Sequence, residues 1–174
     1  MSERKKLATV WLDGCSGCHM SFLDMDERLL ELLQLADLVY SPLVDYKHFP
    51  EDVDITLVEG AVSNEDDLAK IKKVRERTKI LVSLGDCAVT ANVPSLRNPI
   101  GVRAILDRVS AGGLPRQPAD VPLLCAQALP VHNLVAVDVF VPGCPPSADT
   151  IHFVLTELLA GRQPDVSICT RFGA

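Results

Sequence analysis

Leu7-Ala-Thr-Val-Trp-Leu12 runs directly into Asp13-Gly-Cys15-Ser-Gly-Cys18. The first half is a short apolar run of strand-forming residues, and Asp13-Gly14 ends it with a turn signal. Two cysteines therefore stand where the chain leaves a sheet. The same pattern recurs further along. Asp54–Glu59 (DITLVE) ends at Gly60, Lys79–Leu84 (KILVSL) ends at Gly85-Asp86-Cys87, and Val135–Val141 (VAVDVFV) ends at Pro142-Gly143-Cys144. Asp37–Tyr40 reads as one more short strand, closed by Ser41-Pro42.

Helical patterns fill the intervals. Ser21–Leu35 carries Phe22, Met25, Leu29, Leu30, Leu32 and Leu33 on one broad apolar face. Ser63-Asn-Glu-Asp66 reads as an N-cap with acids in the first turn, of a helix that runs to about Arg77 with its cations late. Ser147 caps a last helix through Ile151, Val154, Leu155 and Leu158, stopping at Gly161. Strands alternating with helices predict an α/β protein. The expected fold is a flavodoxin-like doubly wound parallel sheet of about five strands, built as a single domain over residues 1–174. Residues 94–132 hold prolines at 94, 99, 115, 118, 122 and 130. They read as an irregular excursion with one short helix near Val102–Val109, and no internal repeat is present.

The 174 residues carry 17 Lys and Arg against 23 Asp and Glu, a net charge of −6, which excludes a general nucleic-acid binder. At 48% apolar and 23% charged the chain is globular by composition, and with 5% aromatics its core must be aliphatic. No apolar run approaches the roughly 18 residues that span a bilayer. Leu7–Leu12 is too short for a signal-peptide core and no twin-arginine pair precedes it, so the expectation is a cytoplasmic protein without an exported leader. In that compartment six cysteines point to metal ligands or redox groups before disulfides.

In an open α/β sheet the ligand crevice lies beyond the carboxyl ends of the strands. Cys15, Cys18, Cys87 and Cys144 all follow strand ends, so a parallel sheet brings them to one edge. A glycine precedes each within two residues and lets backbone approach a bulky inorganic group. Cys144-Pro145 also has the Cys-Pro step of bacterial-type iron–sulfur sequences. Other readings explain less. Structural zinc pairs two knuckles across a short spacing, whereas here the second pair is split between distant loops; a non-enzymatic scaffold stabilised by zinc on the four cysteines is the alternative of a different class. Cys15-Ser-Gly-Cys-His19 matches the C-x-x-C-H haem attachment pattern, but that leaves Cys87 and Cys144 idle, as does a thioredoxin-like dithiol. An FMN would suit the crevice, yet the turn after the first strand holds cysteines in place of a phosphate loop. Cys125 and Cys169 read as small buried hydrophobes. His19 reads as an ordinary polar residue at a helix start, with donation to a cluster sulfur as the other option. His48, His132 and His152 carry no spacing signal. Glu59 ends a strand on the cysteine edge, either as a solvated turn acid or as a proton carrier or partner-facing acid. Walker, G-x-G-x-x-G and G-x-S-x-G motifs are missing.

Together, Trp11-Leu-Asp-Gly-Cys15-Ser-Gly-Cys18, Val58-Glu59-Gly60-Ala-Val, Gly85-Asp-Cys87-Ala and Pro142-Gly-Cys144-Pro-Pro resemble, in order, the motifs of [NiFe] hydrogenase small subunits. The resemblance implies that Cys15, Cys18, Cys87 and Cys144 hold one proximal [4Fe–4S] cluster and that Glu59 lies near the interface with a large subunit carrying the nickel–iron centre. The missing leader, and an end about 30 residues after Cys144, are similar to the short cytoplasmic small subunits of bidirectional NAD-reducing enzymes. That type implies iron–sulfur and flavin diaphorase subunits as further partners. F420-reducing hydrogenases and sulfhydrogenases have related short forms. The corresponding subunit of respiratory complex I carries adjacent cysteines where Ser16 and Gly17 intervene here. The low charge density of residues 93–105 makes that stretch a candidate partner contact.

Overall fold

A computed structural model describes residues 4–109 and 121–172. Among these lie strands β1 (Lys5–Trp11), β2 (Ala36–Tyr40), β3 (Val53–Glu59), β4 (Val62–Asn64), β5 (Thr78–Leu84), β6 (Leu124–Leu129) and β7 (Val139–Val141). The helices are α1 (Gly17–Leu23), α2 (Glu27–Leu35), α3 (Glu65–Glu76), α4 (Gly85–Thr90), α5 (Val102–Val109) and α6 (Ala148–Leu159). Single 3-10 turns occupy Pro94–Arg97, Val131–Asn133 and Val166–Ile168.

Five strands form a parallel sheet in the order β2-β1-β3-β5-β7, the doubly wound arrangement expected from the alternating pattern. Both faces are buried, as a parallel sheet requires. Leu7, Ile55, Leu57, Val82 and Leu84 pack on Phe22, Met25, Leu32, Ile151, Val154 and Leu155 from α1, α2, α6 and the α1–α2 break. Ala8, Val10, Val58 and Leu81 pack on the other side against Ile71 and Val74 of α3 and Ala88 of α4. Register then aligns the strand ends. Trp11 pairs with Glu59, Glu59 with Leu84, and Leu84 with Val141, so four residues form one row along the carboxyl edge.

The structure departs from the sequence expectation at three places. Residues 21–35 are not one helix: α1 starts early, at Gly17, and ends before Asp24-Met25-Asp26, where Met25 is buried and Asp26 takes φ 52°. Short acidic side chains compete with helical bonding at such a break. The last sheet strand is shorter than Val135–Val141, because the Asp138 carboxylate accepts the Leu81 N–H at 2.7 Å and the ladder starts only at Val139. The cap expected within Ser63–Asp66 is present as Asn64, whose side chain accepts the Asp67 N–H at 2.8 Å, with Glu65, Asp66 and Asp67 in the first turn. Finally, the excursion of 94–132 is more ordered than expected in its described parts. Leu124–Leu129 (LCAQAL), poor in β-branched residues, pairs antiparallel with β4. The Asn98 side chain donates to Ala128 O and accepts from Ala128 N, imitating a strand partner. The helix at Val102–Val109 is present as expected; Pro115 and Pro118 lie outside the described residues.

Candidate metal centre at the carboxyl edge

Just past the row of strand ends, the chain leaves the sheet through short turns that only certain residues permit. Ser16 adopts the left-handed region at φ 64° and swings Cys15 away from α1, which carries Cys18 in its first turn. Gly85 has φ 81°, and a Cβ there would stand 2.2 Å from Cys18 Sγ, so only glycine lets that sulfur lie against the β5–α4 backbone. Cys87 sits in α4, and Cys144 follows Gly143 (φ 138°) and precedes a cis peptide to Pro145.

Cys15, Cys18, Cys87 and Cys144 line one cavity of about 80 Å³, together with Glu59, Asp86 and the backbone of Gly17, Gly143 and Pro145. The four cysteines singled out in the sequence are thus brought together. The other two are not. Cys125 is half-buried in β6, and Cys169 is exposed after the 3-10 turn of 166–168, so neither is the buried hydrophobe expected of a free cysteine.

The electrostatics of the cavity are one-signed. Glu59 and Asp86 are buried, and no lysine or arginine lies among the described residues that line it. Burial pushes the Cys18 thiol well up from its usual range, with Glu59 and the three other cysteines adding to the effect. Burial also raises Cys87, although the Val93 N–H pulls the other way. Such thiols ionise when a cation takes their charge, which makes the cavity a place for metal and not for an anion. Among the described residues, no group of three or more His, Cys, Asp or Glu side chains is arranged to hold a single metal ion. Four cysteines around one cavity are a donor set used both by iron–sulfur groups and by structural zinc.

Glu59 and His19 correct the sequence expectation. Glu59 is 2% exposed and is not a solvated turn acid. Its Oε2 accepts the backbone N–H of His19 at 2.9 Å and lies 2.5 Å from His19 Nδ1. His19 does stand at a helix start, but buried, with Glu59 as its partner; its Nε2 lies 3.0 Å from Thr9 Oγ1, which in turn donates to Ser41 Oγ at 2.8 Å. The sequence reading missed Asp86, whose Oδ1 accepts the Gly143 N–H at 2.7 Å. An acid beside Cys87 at a helix start was the only signal for it. It also missed Asn92, whose Nδ2 lies 3.7 Å from Cys144 Sγ.

The chain is similar to known proteins in sequence and in fold. The family described as NADH ubiquinone oxidoreductase, 20 kDa subunit, matches residues 15–158. The delta subunit of the NAD-reducing hydrogenase HoxS of Cupriavidus necator is 42% identical, over 92% of this chain and 81% of its own length. A subunit of the F420-non-reducing hydrogenase of Methanothermobacter marburgensis is 34% identical, over 97% of this chain but 59% of its own length. A crystal structure of an NAD+-reducing [NiFe]-hydrogenase in the H2-reduced state superposes with a TM-score of 0.92 and 38% identity, covering 98% of this chain and 99% of the matched one. The [NiFeSe] hydrogenase of Desulfovibrio vulgaris Hildenborough, at 17% identity and a TM-score of 0.62, shares the fold over 91% of this chain and 60% of its own.

Proposed function

The chain belongs to the NADH ubiquinone oxidoreductase 20 kDa subunit family, and on that footing we propose that it is the small, electron-transfer subunit of a cytoplasmic [NiFe] hydrogenase of the NAD-reducing type. In this reading Cys15, Cys18, Cys87 and Cys144 ligate one proximal [4Fe–4S] cluster. The observation that carries it is the meeting of four thiols from three separate turns in one cavity. When bound, the cluster supplies one-electron relay between a nickel–iron centre on a large subunit and the diaphorase subunits that hold flavin and further iron–sulfur groups.

The chain's own residues do the rest. Gly85 clears space for the Cys18 sulfur, and Glu59 fixes the start of α1 by holding His19. Burial keeps water from the sulfurs on the α1 side, while Cys15 and Cys144 face outward, toward a partner. Beside them Val93, Leu96 and Ile100 are 60, 70 and 61% exposed, an apolar strip that a large subunit would cover. The NAD-reducing type is favoured over the F420-reducing and sulfhydrogenase types by sequence identity. The HoxS delta subunit is 42% identical, a coenzyme F420 hydrogenase gamma subunit of Methanosarcina barkeri 37%, and a sulfhydrogenase 2 delta subunit of Pyrococcus furiosus 29%.

Anaerobic purification tests the proposal. The wild-type chain should be brown and carry iron and acid-labile sulfide. Cys87→Ser should lose most of both and, in the assembled enzyme, end hydrogen-dependent NAD reduction. Cys125→Ser should keep both. A colourless wild type, or a Cys87→Ser variant with full iron, overturns the assignment.

A further inference from the structure

We propose that Asp86 is a positioning residue for the four-thiol site: it locks the Cys87 turn to the Cys144 turn, and its charge lowers the reduction potential of the group held there. The inference rests on the iron–sulfur reading of the cavity. Its first part is a closed pair of bonds. The Asp86 N–H donates to Gly143 O at 2.8 Å, and the Gly143 N–H donates to Asp86 Oδ1 at 2.7 Å. Asp86 immediately precedes Cys87 and Gly143 immediately precedes Cys144, so the ring fixes two ligand turns by their neighbouring backbone. Those turns leave paired strand ends, Leu84 and Val141. Ser21 Oγ also donates to Pro146 O and ties α1 to the Cys144 turn.

The second part is the choice of aspartate. An asparagine at position 86 could accept the Gly143 N–H equally well, so the latch alone does not need a charge. Yet the carboxylate is 6% exposed on a cavity wall that, among the described residues, carries no lysine or arginine. A buried charge acts strongly on whatever shares its low-dielectric surroundings. Negative charge beside a metal–sulfur group stabilises the oxidised form and lowers its potential. Placement in the first turn of α4 makes the charge tolerable to the fold.

The full chain, purified anaerobically, provides the test, with iron and sulfide content measured beside a redox titration followed by electron paramagnetic resonance. Asp86→Asn keeps an acceptor for Gly143 and should hold wild-type iron while its midpoint potential shifts upward. Asp86→Glu, which retains the charge, should titrate closer to wild type than Asp86→Asn does. Asp86→Ala removes the acceptor and should bleach faster than wild type under a chelator. An Asp86→Asn protein with full iron and an unshifted potential overturns the charge role, and an Asp86→Ala protein that resists chelation like wild type overturns the latch. A wild-type chain without iron is a different result, and one that defeats the proposed function itself.

Discussion

Glu59 stays buried because His19 covers it from two directions, with a backbone N–H at 2.9 Å and a ring nitrogen at 2.5 Å. A buried carboxylate that loses its side-chain partner is left poorly compensated, at a cost of about 3 kcal/mol. His19→Ala should therefore lower unfolding free energy by about that amount in urea melts at neutral pH. Little of this pairing was readable beforehand. Forty positions separate the two residues, and nothing in Cys-His-Met-Ser or in Val-Glu-Gly says that each completes the other. The cysteines were legible for a different reason: a strand end is a local pattern, and every parallel strand end arrives at the same edge. Asp86 fell between these cases, adjacent to one of the four cysteines yet defined by a partner in the turn after another strand.

Among the elements, the break between α1 and α2 carries an identifiable strain. Asp26 holds φ 52° and ψ −124° without a side-chain capping bond, a conformation that costs an L-residue about 1 kcal/mol or more. Asp26 is exposed, so Asp26→Gly should raise stability by about 1 kcal/mol without touching the core, visible as a higher thermal midpoint. At the opposite edge of the sheet, Asp54 accepts the Lys6 N–H at 2.8 Å and bonds Lys79 Nζ at 2.7 Å. Desolvation works to raise its carboxyl, but these bonds and the nearby lysines outweigh it and hold the group below the ordinary range. A depressed acid stabilises the fold above its unfolded value and loses that contribution as pH falls through its folded one. Asp54→Asn should therefore weaken the protein at pH 7, and the gap to wild type should narrow as pH drops below about 4 in parallel urea titrations. The periodicities that placed β1, β3, β5 and α6 were plain because both sheet faces are apolar. Strand β6 was hidden, since its partner is three residues long and part of its pairing comes from the Asn98 side chain.

For the molecule as a whole, the proposed function divides the labour between the cavity rim, which would hold the redox group, and exposed apolar side chains, which would present it to a large subunit. Leu96, 70% exposed beside the rim, should tolerate a charge without loss of iron. Leu96→Glu is expected to leave the chain brown yet weaken capture of the large subunit by about 2 kcal/mol, roughly thirtyfold, in a titrated pull-down. Strand β7, which delivers Cys144, adds to the sheet at its outer margin and comes last of the five in the polypeptide. While the protein is being made, the nascent segment can offer Cys15, Cys18 and Cys87 well before Cys144 emerges. On the proposed reading, iron arriving that early would meet an incomplete socket, which closes only once β7 has joined the sheet.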